Sequence, residues 1–253
     1  MKIKLSITVA ALICAIALSS CSEKNSITVS DDTYESFSAV LEESEDMGDS
    51  YIDSFVFFGE STTYHMKNRG VLSGGQNTTQ ILADRTGTAI LDETTMSMAV
   101  IYPETGELVP LCEAIKRKSP DYLLMTFGLN GAVQKIKQGE DYYKDCYLKL
   151  INAVKESSPK TKIILQSCFP VAENMDMSGY SVDLKTLNSY IKQLNKWSLE
   201  LAEDEGLGYL NTNEILTDEN GNLKLEYQSG DGHHLTRGAY LKIIKYIRTH
   251  GYK

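Results

Sequence analysis

The chain has 253 residues, of which 42% are apolar and 23% charged, enough for one well-buried globular domain and too apolar for a disordered tail. A formal net charge of −9 and a pI of about 5.0 argue against a basic face that tracks phosphates. No nucleic-acid partner is expected.

The first twenty residues read as a secretion signal. Lys2 and Lys4 form a short positive region, residues 5–18 (LSITVAALICAIAL) are apolar but short for a membrane span, and LSSC ends the stretch in small residues before Cys21. The LSSC ending resembles the bacterial lipobox. That resemblance implies lipidation of Cys21 and an extracytoplasmic protein anchored to a bacterial membrane as a lipoprotein. Loss of the two lysines takes the charge from −9 to −11. Residues 21–50, rich in Ser, Asp and Glu, suit a solvated tether, although YESFSAVLEESEDM has some amphipathic spacing. Residues 51–253 form the expected domain. Within it Cys112, Cys146 and Cys168 are an odd set without metal-ligand spacing. Cys112 and Cys146 sit in helix-like stretches and read as buried thiols; Cys168 follows a strand.

Strand-length apolar runs occur at 54–58 (SFVFF), 121–127 (DYLLMTF), 161–167 (TKIILQS) and 207–211 (LGYLN), without the polar alternation of a half-exposed sheet. Helix-period segments lie between them: PLCEAIKRK from Pro110, DYYKDCYLKLINAVKESS from Asp141, LKTLNSYIKQLNKWSLELAEDEG from Leu184 and TRGAYLKIIKYIRTH from Thr236. A further strand is expected near TTMSMAVIY, before a turn at 103–106. The alternation predicts βα units around a mainly parallel sheet.

In such a sheet the ligand crevice lies outside the carboxyl ends of the strands. The first run ends at Gly59-Glu60-Ser61 and the second at Gly128-Leu129-Asn130-Gly131, so a serine hydroxyl and an asparagine carboxamide are expected on one edge. Near the C-terminus, SGDGHHLTRGAY places Asp231 three residues before His234, within reach of the imidazole Nδ1–H. Nucleophile, base and orienting carboxylate are thus available as Ser61, His234 and Asp231. The neighbouring histidines with one aspartate form no recognised metal-ligand set, so neither metal nor cofactor is expected.

These blocks, in this order, resemble the SGNH, or GDSL-like, hydrolases over residues 51 to about 250. FFGES is similar to the block carrying the nucleophilic serine, GLNG to the block whose asparagine serves the oxyanion hole, and DGHHL to the Asp-x-x-His block. The resemblance implies a three-layer α/β/α flavodoxin-like fold. It also implies Ser61 as nucleophile, His234 as base, Asp231 as its partner, and an oxyanion hole from Asn130 and the Ser61 backbone N–H. The glycine block matches poorly; LSGGQNTTQIL offers Gly75 as third donor, with Gly70 and Gly87 as alternatives. Two positions depart from the family pattern: Glu60 stands where Asp is usual before the serine, and Gly131 where Asp is usual after the asparagine.

The expected activity is that of a serine esterase acting on small O-acyl esters. Carbohydrate deacetylation is the expected use, on location alone. Transfer of the acyl group to a glycan hydroxyl, or ligand binding without turnover, are the competing readings.

Overall fold

Runs that are apolar on both faces become parallel strands, because only a sheet covered by helices on each side buries them completely. The computed structural model describes residues 37–252. In chain order the elements are α1 (Gly48–Asp53), β1 (Phe55–Gly59), α2 (Ser61–Asn68), β2 (Ile81–Leu82), β3 (Ala99–Ile101), β4 (Leu108–Pro110), α3 (Leu111–Lys118), β5 (Tyr122–Thr126), α4 (Ala132–Gln138), α5 (Glu140–Ser157), β6 (Lys162–Gln166), α6 (Leu184–Asp204), β7 (Gly208–Leu210), α7 (Asn213–Leu216) and α8 (Arg237–Arg248). Five strands form one sheet in the order β2-β1-β5-β6-β7, parallel at every pairing. The expected three-layer α/β/α architecture is observed, with flavodoxin-like strand order.

The two faces are built by alternation along each strand. Phe55 and Phe57 of β1 join Leu124, Ile164 and the apolar sides of α1, α2 and α8. Val56 and Phe58 point the other way, with Leu123, Met125 and Leu165, against α3, α5 and α6. Phe57 and Phe58 are fully buried; truncating such a side chain to alanine typically costs about 3–5 kcal/mol. Thr236 caps α8, its hydroxyl accepting the Ala239 N–H at 3.3 Å.

Three departures from the sequence reading have physical causes. The strand near TTMSMAVIY is β3, which pairs antiparallel with β4 in a separate two-stranded ribbon. The true edge strand, β2, has only two residues, too few for a periodicity to show. Residues 37–50, read as tether, fold onto the domain: Leu41 N–H donates to Tyr209 O (2.9 Å), Tyr209 N–H to Ala39 O (2.7 Å), and Arg248 grips Asp46 through two 2.7 Å bonds. The signal segment, Cys21 and the tether up to residue 36 lie outside the described residues. Among the described residues, no helix is long and apolar enough to cross a membrane.

Candidate active site

The β1 strand ends where backbones crowd. A Cβ on Gly59 would lie 2.4 Å from Thr126 O and 2.6 Å from Thr63 Oγ1, so only glycine lets β1 run alongside β5 into the turn. Glu60 follows in extended conformation as the N-cap, and Ser61 is the first residue of α2. A helix provides no internal acceptor for the N–H groups of its first turn, and its dipole favours negative charge there. Ser61 therefore offers a hydroxyl and an unclaimed backbone N–H at a site suited to an anion.

The second piece is the turn over residues 228–235. Gln228 and Leu235 bridge across it, and Ser229 N–H donates to His234 O at 2.8 Å. Gly232, at φ +83°, is pressed so closely on Met175 that a Cβ would lie 2.6 Å from its Cα. The turn is tied to α2 by Arg69, whose Nε donates to Leu235 O at 3.2 Å, and Tyr240 of α8 donates to Thr62 O at 2.6 Å.

The structure brings Ser61, His234 and Asp231 into one line. Ser61 Oγ lies 3.0 Å from His234 Nε2, and His234 Nδ1 lies 2.7 Å from Asp231 Oδ2. An ionised carboxylate can only accept, so Nδ1 carries the proton and Nε2 faces the serine as an acceptor. Partial burial works to raise the Asp231 pKa, but the His234 N–H, the His234 ring and the His233 N–H outweigh it and hold the carboxyl well below the usual range. The other Asp231 oxygen accepts those two backbone N–H groups at 2.9 and 3.1 Å. The arrangement can move a proton from the Ser61 hydroxyl to the imidazole and stabilise the resulting imidazolium.

His65, one turn along α2 from Ser61, packs against the site. Its ring stacks on His234 with centroids 4.2 Å apart and planes 12° apart. Burial, then the neighbouring His234 and Arg69, lower its pKa, so the neutral ring that seats His234 is favoured. Asp231, His233 and His234 also have potential ligand atoms within 4.8 Å of one another, but the His234 nitrogens are already directed at Ser61 and Asp231.

Asn130 lies on the turn after β5, and Glu60 holds that turn. The Glu60 carboxylate is 2% exposed and accepts the N–H groups of Gly128 (2.9 Å), Leu129 (3.1 Å) and Asn130 (3.0 Å). Asn130 Nδ2 donates to Thr88 Oγ1 at 2.9 Å, with a longer contact of 3.4 Å to Ala89 O. The segment that meets Asn130 is therefore the loop after β2. Gly75 does not serve as the third donor: it sits in a turn after α2, and its N–H is taken by Leu72 O at 2.9 Å. Gly87 is on the correct loop, yet its own N–H is taken by Asp84. The shortness of β2 concealed this loop from the sequence. Cys168 is buried, and burial pushes its thiol well above the usual range; it packs under Gly128.

Beside Asn130 lies a cleft of about 330 Å³ lined by Gln134, Lys137, Tyr180 and Ser181 among others. A larger cavity, about 430 Å³, runs between residues 37–42 and β7 and contains none of these residues.

The sequence profile of the GDSL-like lipase/acylhydrolase family matches residues 57–241, well over half of the chain. The chain belongs to that family. It is an ester hydrolase. No curated protein sequence matches this acylhydrolase. Among solved structures it is similar to the periplasmic domain of the Salmonella ser. Paratyphi A lipopolysaccharide acetyltransferase, at 18% identity and TM-score 0.48, over 77% of this chain and 82% of that one. An extracellular lipase from Streptomyces rimosus aligns at 10% identity and TM-score 0.48, over 75% and 97%. A GDSL-like lipase from Bacteroides thetaiotaomicron aligns at 23% identity and TM-score 0.39, over 53% of this chain and 62% of that structure.

Proposed function

We propose that this acylhydrolase is a serine esterase that cleaves small O-acyl esters outside the cytoplasm, held to a bacterial membrane by lipid on Cys21. The observation that carries the chemistry is the Ser61–His234–Asp231 line, with its 3.0 and 2.7 Å links. His234 Nε2 takes the hydroxyl proton as Ser61 Oγ attacks the acyl carbon; the oxyanion faces the Ser61 N–H and the Asn130 amide. Collapse expels the alcohol, which receives the proton from His234, and leaves an acyl-enzyme. Water, deprotonated by the same imidazole, then releases the acid.

A polar cleft with one cation and one tyrosine suits a hydroxylated alcohol portion better than a second alkyl chain. With the lipoprotein-like N-terminus it supports an acetylated carbohydrate as substrate. The test is hydrolysis of p-nitrophenyl acetate and butyrate by residues 22–253, beside Ser61→Ala and His234→Ala checked for folding by circular dichroism. The expected result is turnover lost by roughly 10³-fold or more in both. Equal rates for wild type and folded mutants would remove the esterase reading for these esters.

A further inference from the structure

The two departures from the family pattern meet at one place in the structure. Glu60, longer than the usual aspartate, reaches under the 128–130 turn and takes three of its N–H groups. Gly131, at φ +73°, lies beside Lys135: a Cβ there would come to van der Waals distance, 3.4 Å, of Lys135 Nζ. Lys135 is 3% exposed, and its ammonium donates to Asn130 O. The backbone of Asn130 is therefore held on both sides, its N–H by a carboxylate and its C=O by an ammonium, both withdrawn from water.

Burying two such charges is a poor device for stability. Taking two charges out of water costs several kcal/mol per ion, and apolar replacements of similar volume are often neutral or better. Burial acts against both charges, raising the Glu60 pKa and lowering that of Lys135. What the pair provides is geometry. The clamp fixes the backbone from which the Asn130 side chain starts, and Thr88 Oγ1 at 2.9 Å and Ala89 O at 3.4 Å then hold its amide; an oxyanion donor is effective only if aimed before the charge develops.

We propose that Glu60 and Lys135 are positioning residues that clamp the Asn130 backbone and so, with Thr88, pre-aim its side-chain amide at the oxyanion. The proposal rests on the esterase reading above. Gln at position 60 would turn an amide N–H₂ toward backbone N–H groups, and Met at 135 would keep the bulk of lysine without its donor.

The test is steady-state kinetics of the full chain in detergent on p-nitrophenyl acetate. It compares wild type with Ser61→Ala, Glu60→Gln, Lys135→Met, Asn130→Ala and the Asn130→Ala/Lys135→Met double variant, each checked for folding. The clamp predicts a kcat drop of about 10–100-fold for Glu60→Gln and about 10-fold for Lys135→Met, with KM within about 3-fold, because only transition-state binding is lost. In the Asn130→Ala background Lys135→Met should have no further effect on kcat, since the clamp has nothing left to aim. Should Glu60→Gln not fold, the Lys135→Met pair of comparisons decides alone. Wild-type kcat in Lys135→Met beside a silent Ser61→Ala would overturn the clamp and leave the esterase reading standing. The same loss from Lys135→Met with and without Asn130 would also overturn it, as a merely structural effect. A Ser61→Ala variant as active as wild type would remove the esterase reading and the clamp with it.

Discussion

Asp231 shows how a single residue both builds a turn and holds an imidazole in place. One carboxylate oxygen ties the N–H groups of His233 and His234, and the other holds the imidazole. These bonds favour the ionised form and depress the folded-state pKa below the ordinary value of 3.8. The stability they contribute is fully present above that value and lost as pH falls toward the folded pKa. Asp231→Asn should therefore melt below wild type at pH 6, and the gap should narrow as pH approaches 3. A gap that is constant over that range would mean that the Asp231 charge adds nothing to the fold. Ser61 and Asp231 could be read from the chain because motif spacing carries them. The stacking of His65 on His234 could not, since it depends on the approach of α2 to a turn some 170 residues away in sequence.

At the scale of elements, the segment before α1 behaves as a strap. It pairs with Tyr209 at the β7 edge, its Ala39 N–H donates to Glu203 at 2.7 Å, and its Asp46 is bound by Arg248 of α8. An edge strand with unpaired backbone groups is a liability, and this segment covers part of it. A chain beginning at Gly48 should lose about 1–3 kcal/mol relative to one beginning at residue 37, from the two β7 hydrogen bonds; the solvent-exposed Arg248–Asp46 pair adds little to this. Equal denaturant midpoints would show the strap to be dispensable. Its acidic, Ser-rich composition reads as solvated because the groups it bonds, Arg248 and the backbone of Tyr209, come from the far end of the chain. The strands β1, β5, β6 and β7 and the helices α3, α5, α6 and α8 were legible because each buries a continuous apolar run or stripe. The β2 strand, α1, α2 and α4 were not, being too short for a period to emerge or lying within the motif segments themselves.

For the whole molecule, the parallel sheet is the device that makes the motifs converge. Register between β1 and β5 sets Gly59 opposite Thr126, which brings Glu60 beneath Asn130. The Arg69 and Tyr240 bonds then bring the C-terminal turn to α2. The order of motifs was readable from the chain and so was the edge they share. The loop that meets Asn130 was not, because it follows a two-residue strand. The central claim is that Ser61, activated by His234, forms a covalent acyl-enzyme. It is tested most directly by treating the protein with a fluorophosphonate and measuring intact and peptide masses for wild type, Ser61→Ala and His234→Ala. The account predicts one phosphonyl adduct on the peptide containing Ser61, none in Ser61→Ala, and labelling slowed by at least about 10²-fold in His234→Ala. An unlabelled wild type, or an adduct that persists in Ser61→Ala, would contradict it.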